Sequence, residues 1–305
     1  MSKKILFFGN ERLATGVTTT APALQGLIAN GYEVAAVVVA QNDMGKSRKA
    51  RSLEVANIAQ EHNIPLLSPA DLRKAKDELV GYGAQAAVLI AYGKIVPPEV
   101  LNIFPAGIVN IHPSLLPLHR GSAPLEGAIL SGAPETGVSL MKLSQKMDAG
   151  PVYTRKTVPL NGAEAKQALA DMLATIGTDI LLEQLPGILD ASAESIPQDD
   201  TSATYDAHIS KSDGSIDWSK SAVQLEREIR AYAGWPRSRT TIGTTDAIVT
   251  AAHIAEGLGE PGQLQIEDKQ LGVYCGNGLL IIDSLIPIGK REMPAAAFLA
   301  GYTSL

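Results

Sequence analysis

The chain has a single cysteine, Cys275, among its 305 residues. This excludes an intrachain disulfide and any multi-cysteine metal centre, and it fits a reducing cytoplasm. No apolar run approaches the ~20 residues of a membrane-spanning helix, so no membrane partner is expected. The first apolar run, Ile5 to Phe8, stops at Gly9 and is too short for a secretory signal. Positive charge is not in excess: the formal net charge is −6 and the pI is near 5.4. A chain that coats nucleic acid indiscriminately is thereby excluded, whereas a local basic patch is not. The Gly-x-Gly-x-x-Gly fingerprint of dinucleotide-binding folds is missing, and so are internal repeats and low-complexity tracts.

What remains is globular in character. Hydrophobic residues make up 45% and charged residues 19%, and the length suits two domains with a large core. Residues 4–9 read as a buried strand, 21–30 as a helix stopped by Gly31, and 33–40 as a valine-rich second strand. Residues 52–62 and 70–80 read as helices, 64–67 as a short edge strand and 86–91 as a core strand ending in Tyr92-Gly93. This alternation predicts an α/β domain with a parallel sheet and right-handed crossovers. Helices are expected over 124–130 and 163–184, with strands over 138–143 and 152–158. The polar stretch from Pro186 to Tyr205 reads as a linker. Beyond it, 219–232 reads as a helix capped by Ser219 or Ser221, with Ala222, Leu225 and Ile229 on one face. Short strands follow over 239–242, 247–254, 262–266, 271–275 and 279–286, the pattern of a small barrel. The predicted division is 1–187, a linker at 188–205, and 206–305.

Two stretches carry chemistry. Between Gln41 and Arg51, Lys46, Arg48, Lys49 and Arg51 stand against one acidic residue, Asp43. This is either a solvated surface loop or a phosphate-contacting arm for RNA. From Gly107 to Gly150, a short strand delivers Asn110 and His112 two residues apart, hence on one face. Pro113 and Pro117 rule out a long regular element just beyond. Asp148 arrives later in a Met-Asp-Ala-Gly turn. An amide, an imidazole and a carboxylate form an acyl-transfer set: the amide donates to an oxyanion, the imidazole moves a proton, and the carboxylate orients the imidazole.

Asn110-x-His112-Pro113-Ser114-Leu115-Leu116-Pro117, then Arg120-Gly121, then Asp148-x-Gly150, resembles the formyltetrahydrofolate-dependent formyltransferases, in particular their tRNA-dependent branch. Ile216-Asp217-Trp218, Ile229-Arg230-Ala231 and Trp235-Pro236 resemble the start of that branch's C-terminal domain. The resemblance implies a Rossmann-like formyltransferase domain followed by an OB-like barrel. It implies transfer of a formyl group from 10-formyltetrahydrofolate, as co-substrate, to the α-amine of initiator methionyl-tRNA, by a monomer that uses no metal. Asn110, His112 and Asp148 would be catalytic. Ser114, Leu115, Leu116, Pro117, Tyr92 and Gly93 would line the folate. Lys46, Arg48, Lys49, Arg51, Arg237 and Arg239 would meet RNA, with Arg227 and Arg230 as further candidates. Three places depart from the family's pattern, one being Gln41-Asn42-Asp43-Met44 in place of its usual Gln-Pro-Asp-Arg. The loop from Asn10 to Thr20 replaces its usual Thr-Pro-x-Phe-Ala, and Leu118-His119-Arg120 replaces Arg-Tyr-Arg. Rival readings are a formyltransferase for an amino-sugar nucleotide or glycinamide ribonucleotide, and a non-catalytic folate- or RNA-binding protein.

Overall fold

In the computed structural model, which describes residues 3–40 and 53–301, the first strand follows directly from its apolar run. β1 (Lys4–Gly9) buries Ile5 to Phe8. α1 (Pro22–Ala29) opens on proline, whose missing N–H would have had no helical partner there. β2 (Glu33–Val38), α2 (Glu54–Glu61) and the two-residue β3 (Leu66–Leu67) come next. The helix expected over 70–80 is cut down to α3 (Lys76–Gly81). Asp71 accepts a hydrogen bond from the Arg73 N–H at 2.9 Å, a local turn that competes with helix at its start. β4 (Ala86–Ile90), α4 (Pro98–Leu101), β5 (Ile108–His112), β6 (Arg120–Gly121), α5 (Pro124–Ser131), β7 (Glu135–Lys142) and β8 (Val152–Pro159) complete this stretch.

α6 (Lys166–Leu189) starts later than its sequence suggests, because the Glu164 carboxylate ties down the N–H groups of Asn161 and Gly162. It then runs through Pro186, with Leu185 and Ile188 buried in its last turns. By length and composition α6 could cross a membrane. It is instead packed on the sheet: a Cβ added at Gly177 would press on Ile111 of β5. The two-residue β9 (Tyr205–Asp206) pairs in parallel with β6.

The main sheet has the order β3-β2-β1-β4-β5-β7-β8. The first five strands are parallel, β7 runs antiparallel to β5, and β8 antiparallel to β7. One core lies on the face that carries Leu6, Phe8, Leu89 and Ile108, where Phe8 meets Tyr92 and Phe104 edge to face.

The remaining elements are α7 (Ala222–Ala231), β10 (Ser238–Ile242), β11 (Thr245–Ala255), β12 (Leu264–Glu267), β13 (Gln270–Tyr274), β14 (Leu279–Pro287), β15 (Met293–Pro294) and α8 (Ala295–Gly301). They form an antiparallel sheet, β10-β11-β14-β13-β12, with β15 beside β14. Ser221 caps α7 by accepting from the Gln224 N–H at 3.2 Å. Ala222, Leu225 and Ile229 of α7 and Phe298 of α8 are buried with the strand residues in one cluster.

Contacts divide the chain differently from its linear order. The first unit comprises Met1–Pro124, Glu135–Leu160 and Gln167–Ala207; the second comprises Leu125–Pro134, Asn161–Lys166 and His208–Leu305. Within the second, the buried Lys166 ammonium lies 3.3 Å from the buried Glu126 carboxylate and donates to the Trp235 carbonyl at 3.2 Å. Burial pulls the Lys166 pKa down, against the opposing pull of Glu126.

Candidate active site

β5 owes its form to Ile108, Val109 and Ile111, branched residues that suit a strand buried on both faces. Asn110 lies opposite Leu89 of β4 and Met141 of β7, and His112 opposite Ser139 of β7. Ile111 faces α6, so Asn110 and His112 share the opposite face. Both are about 5% exposed. The Asn110 carboxamide makes no hydrogen bond with the described residues.

The His112 ring is held from two sides. Its Nε2 lies 3.0 Å from the carbonyl of His119, which can only accept, so Nε2 carries hydrogen. Its Nδ1 faces the Asp148 carboxylate at 3.9 Å, within ion-pair reach but too long for a hydrogen bond. Asp148 sits at φ +47° and accepts the Gly121 N–H at 2.9 Å through its other oxygen. The structure thus brings Asp148 to His112, across a separation that strand reasoning alone does not span.

The turn after β5 is clamped. Ser114 donates from its hydroxyl to the Leu118 carbonyl at 2.7 Å. The Ser139 hydroxyl donates to the Ser114 carbonyl and accepts from the Leu116 N–H, while Arg155 donates to the Leu116 carbonyl at 2.6 Å. Leu116 is buried with Met141 and Val152; Leu115 and Pro117 are half-buried. Gly93 is exposed at φ +70°. Tyr92 differs from its expected place at a cleft, because its ring is in the core against Phe8.

Lys46, Arg48, Lys49 and Arg51 lie outside the described residues. Arg237 is exposed. Arg239 is half-buried, donates to the Pro236 carbonyl at 2.5 Å, and lines an open cavity of about 360 Å³ with Lys211, Ser212 and Ser215. Arg227 and Arg230 turn inward: Arg227 donates to the Ser131 carbonyl, and Arg230 pairs with Glu226 and donates to the Glu164 carbonyl. The altered loop after β1 is packed only in part, and Glu11, Thr18, Thr19 and Thr20 line a cavity of about 480 Å³. Glu11 is buried, its carboxylate 3.5 Å from the Val55 N–H at the start of α2.

Two sequence models match the chain. The one described as formyl transferase matches residues 3–185, and the one described as formyl transferase, C-terminal domain, matches 208–303. The chain belongs to the formyl transferase family. It is therefore an enzyme of one-carbon transfer. It is 36% identical over 304 residues to a protein named methionyl-tRNA formyltransferase from Methylococcus capsulatus, covering 98% of this chain and 97% of that one. It is 39% identical to one of the same name from Roseiflexus sp., covering 99% and 93%. Among solved structures, the sugar 3N-formyl transferase WlaRD has a TM-score of 0.69 at 18% identity, covering 95% of this chain and 100% of that one. HypX from Aquifex aeolicus, in complex with tetrahydrofolic acid, has 0.65 at 20%, covering 97% and 46%, so this chain spans about half of HypX. These two likenesses show the fold.

Sequence reasoning missed the groups behind the site. Arg120 is buried, and its guanidinium donates to Gln198, Asp200 and the Tyr205 hydroxyl. Burial opposes that charge, but the bonds to Asp200 and Tyr205 outweigh it and hold the guanidinium pKa above its ordinary value. The stretch read as a linker is fastened down: Ile196 exchanges both backbone hydrogen bonds with Val152, at 2.8 and 2.9 Å. No local signal reveals this, because every partner is at least 40 residues away in sequence. Among the described residues, no three His, Cys, Asp or Glu side chains converge on a metal position.

Proposed function

We propose that this enzyme transfers the formyl group of 10-formyltetrahydrofolate to the α-amino group of methionyl-initiator tRNA, as a monomer in the cytoplasm. The observation that carries the reading is full-length likeness, across both matched regions, to proteins named methionyl-tRNA formyltransferase. The single buried thiol, Cys275, supports the compartment.

Asn110, His112 and Asp148 carry the reaction. A neutral amine attacks the formyl carbon, the carbon–nitrogen bond to the folate breaks, and a proton passes from the amine to the leaving nitrogen. Asn110 donates its unspent amide N–H to the oxyanion on the tetrahedral carbon. His112 has spent Nε2 on the His119 carbonyl, so Nδ1 is the atom that takes up and returns the proton. Asp148, 3.9 Å from Nδ1, stabilises the imidazolium formed in between. The clamped turn of Ser114, Leu115, Leu116 and Pro117, with the Gly93 backbone, lies along the folate.

Residues 1–187 supply this chemistry, and 206–305 supply RNA contacts. Lys46, Arg48, Lys49 and Arg51 neutralise phosphates near the acceptor end, and Arg237 and Arg239 do so on the second unit. The open cavity lined by Lys211 and Arg239 supports the latter, since two cations and two serine hydroxyls suit a phosphate.

The test offers the purified protein 10-formyltetrahydrofolate with either charged initiator tRNA or a panel of amino-sugar nucleotides. Formylmethionyl-tRNA as the product supports the reading. Formylated sugar nucleotide, with tRNA left untouched, overturns it.

A further inference from the structure

The segment after α6, residues 196–206, crosses back over the candidate site and touches what holds His112 on both sides. Gln198 is the centre of this arrangement. Its Nε2 donates both hydrogens, to the carbonyl of Asp148 at 2.8 Å and to that of Gly150 at 2.7 Å. Its Oε1 accepts from Nε and Nη2 of Arg120 at 3.1 and 2.9 Å. All four hydrogen-bonding positions of the carboxamide are used, which fixes which way it points. Gln198 therefore connects a buried guanidinium to the Asp148 turn.

The other side is held by the same segment. The Thr204 hydroxyl accepts the His119 N–H at 2.8 Å, the Thr204 carbonyl accepts the Arg120 N–H at 2.9 Å, and the Asp206 carboxylate meets His119 Nδ1 at 2.9 Å. His119 is the residue whose carbonyl receives the His112 Nε2–H. Gly121 closes the arrangement at φ +114°, where a Cβ would collide with the Asp206 carbonyl, so β6 and β9 pair this closely only around a glycine.

We propose that Gln198 is a positioning residue for formyl transfer, setting the place of the Asp148 carboxylate relative to His112 from a strap that also anchors the His119 carbonyl. The proposal rests on the catalytic reading of Asn110, His112 and Asp148. Gln198 touches no reacting atom; it acts through Asp148. A purely structural glutamine would affect folding or substrate affinity. A positioning one affects the turnover step, because a displacement of about 1 Å in a catalytic group costs on the order of 100-fold in rate.

Gln198→Glu is the informative variant. It keeps the acceptor oxygen for Arg120 and nearly the same shape, but cannot donate to the two carbonyls. In the full chain, with charged initiator tRNA and 10-formyltetrahydrofolate, kcat should fall by on the order of 10- to 100-fold while KM for both substrates holds. Combined with Asp148→Asn, Gln198→Glu should add no further loss, the non-additivity of two groups acting as one. The ¹⁵N resonance of His112 Nδ1 in the free protein should move in Gln198→Glu, a readout independent of activity. Parent-like kcat in Gln198→Glu, or losses that multiply in the double variant, overturns the proposal while leaving the catalytic reading intact. Parent-like turnover in Asp148→Asn overturns the catalytic reading and this proposal together. If Gln198→Glu folds poorly, Gln198→Met, with no polar end group, takes its place in the same three measurements.

Discussion

The carbonyl of His119 accepts the Nε2–H of His112 at 3.0 Å, so the two histidines of the motif do different jobs. One presents an imidazole to the site; the other presents its backbone. His119 adopts φ +58°, a conformation asparagine tolerates better than most residues. His119→Asn keeps the carbonyl in place and should leave most of the turnover. His112→Ala should lose ~10²–10⁴ in kcat, the usual worth of a positioned acid–base group. Steady-state rates of the two variants check this, and equal losses would contradict it.

The buried pair of Lys166 and Glu126 bears on stability rather than chemistry. Glu126→Ala removes the carboxylate that faces the buried ammonium, which keeps its bond to the Trp235 carbonyl, and should destabilise the protein by about 3–5 kcal/mol. Replacing both, as Glu126→Leu with Lys166→Met, should recover most of that loss, since two apolar groups need no partner. Urea unfolding of the three proteins measures both effects.

How legible all this is from the sequence depends on the range of the contacts involved. Asn110 and His112 were readable because two residues on one short strand share a face, whatever the rest of the chain does. The capped α7 and the strands of the second unit were readable for the same local reason. Asp148 was grouped with His112 on residue chemistry and then on resemblance to a family, because nothing in a Met-Asp-Ala-Gly turn itself says which imidazole it meets. The polar stretch after α6 misled, since its composition is that of a tether while Ile196, Gln198 and Thr204 spend their bonds on residues 40 to 90 positions earlier. Leu125–Pro134 and Asn161–Lys166 group with the C-terminal unit through Glu126, Ser131 and Lys166, contacts that no composition shift marks.

Tyr232 links the second unit to alkaline pH. Burial first, then the nearby carboxylates of Glu228, Asp213 and Glu126, push its phenol up from 10.0 to about 12. The folded chain keeps this proton to about pH 12, whereas the unfolded chain loses it near pH 10. Unfolding in that window therefore releases a proton, and the stabilisation present below pH 10 is lost as pH rises. The loss should reach about 2–3 kcal/mol. Tyr232→Phe should flatten stability between pH 10 and 12, as read from urea midpoints across that range.

Salt dependence tests the RNA contacts. Neutralising Lys46, Arg48, Lys49 and Arg51 together should weaken binding of charged initiator tRNA. It should also flatten the slope of log K against log salt, by ~0.7–0.9 for each phosphate that no longer meets a cation. Arg237→Gln should do the same on a smaller scale. An unchanged slope in the quadruple variant would remove that loop from the interface.

The most direct test of the catalytic claim is the single-turnover rate of formyl transfer to saturating methionyl-initiator tRNA by Asn110→Ala, beside the parent protein. Asn110 keeps its amide free of the described protein groups, so its removal should leave the fold, followed by circular dichroism, unchanged. The rate should drop by ~10²–10³, the cost of one oxyanion donor. A folded Asn110→Ala protein that transfers the formyl group at the parent rate would contradict the account.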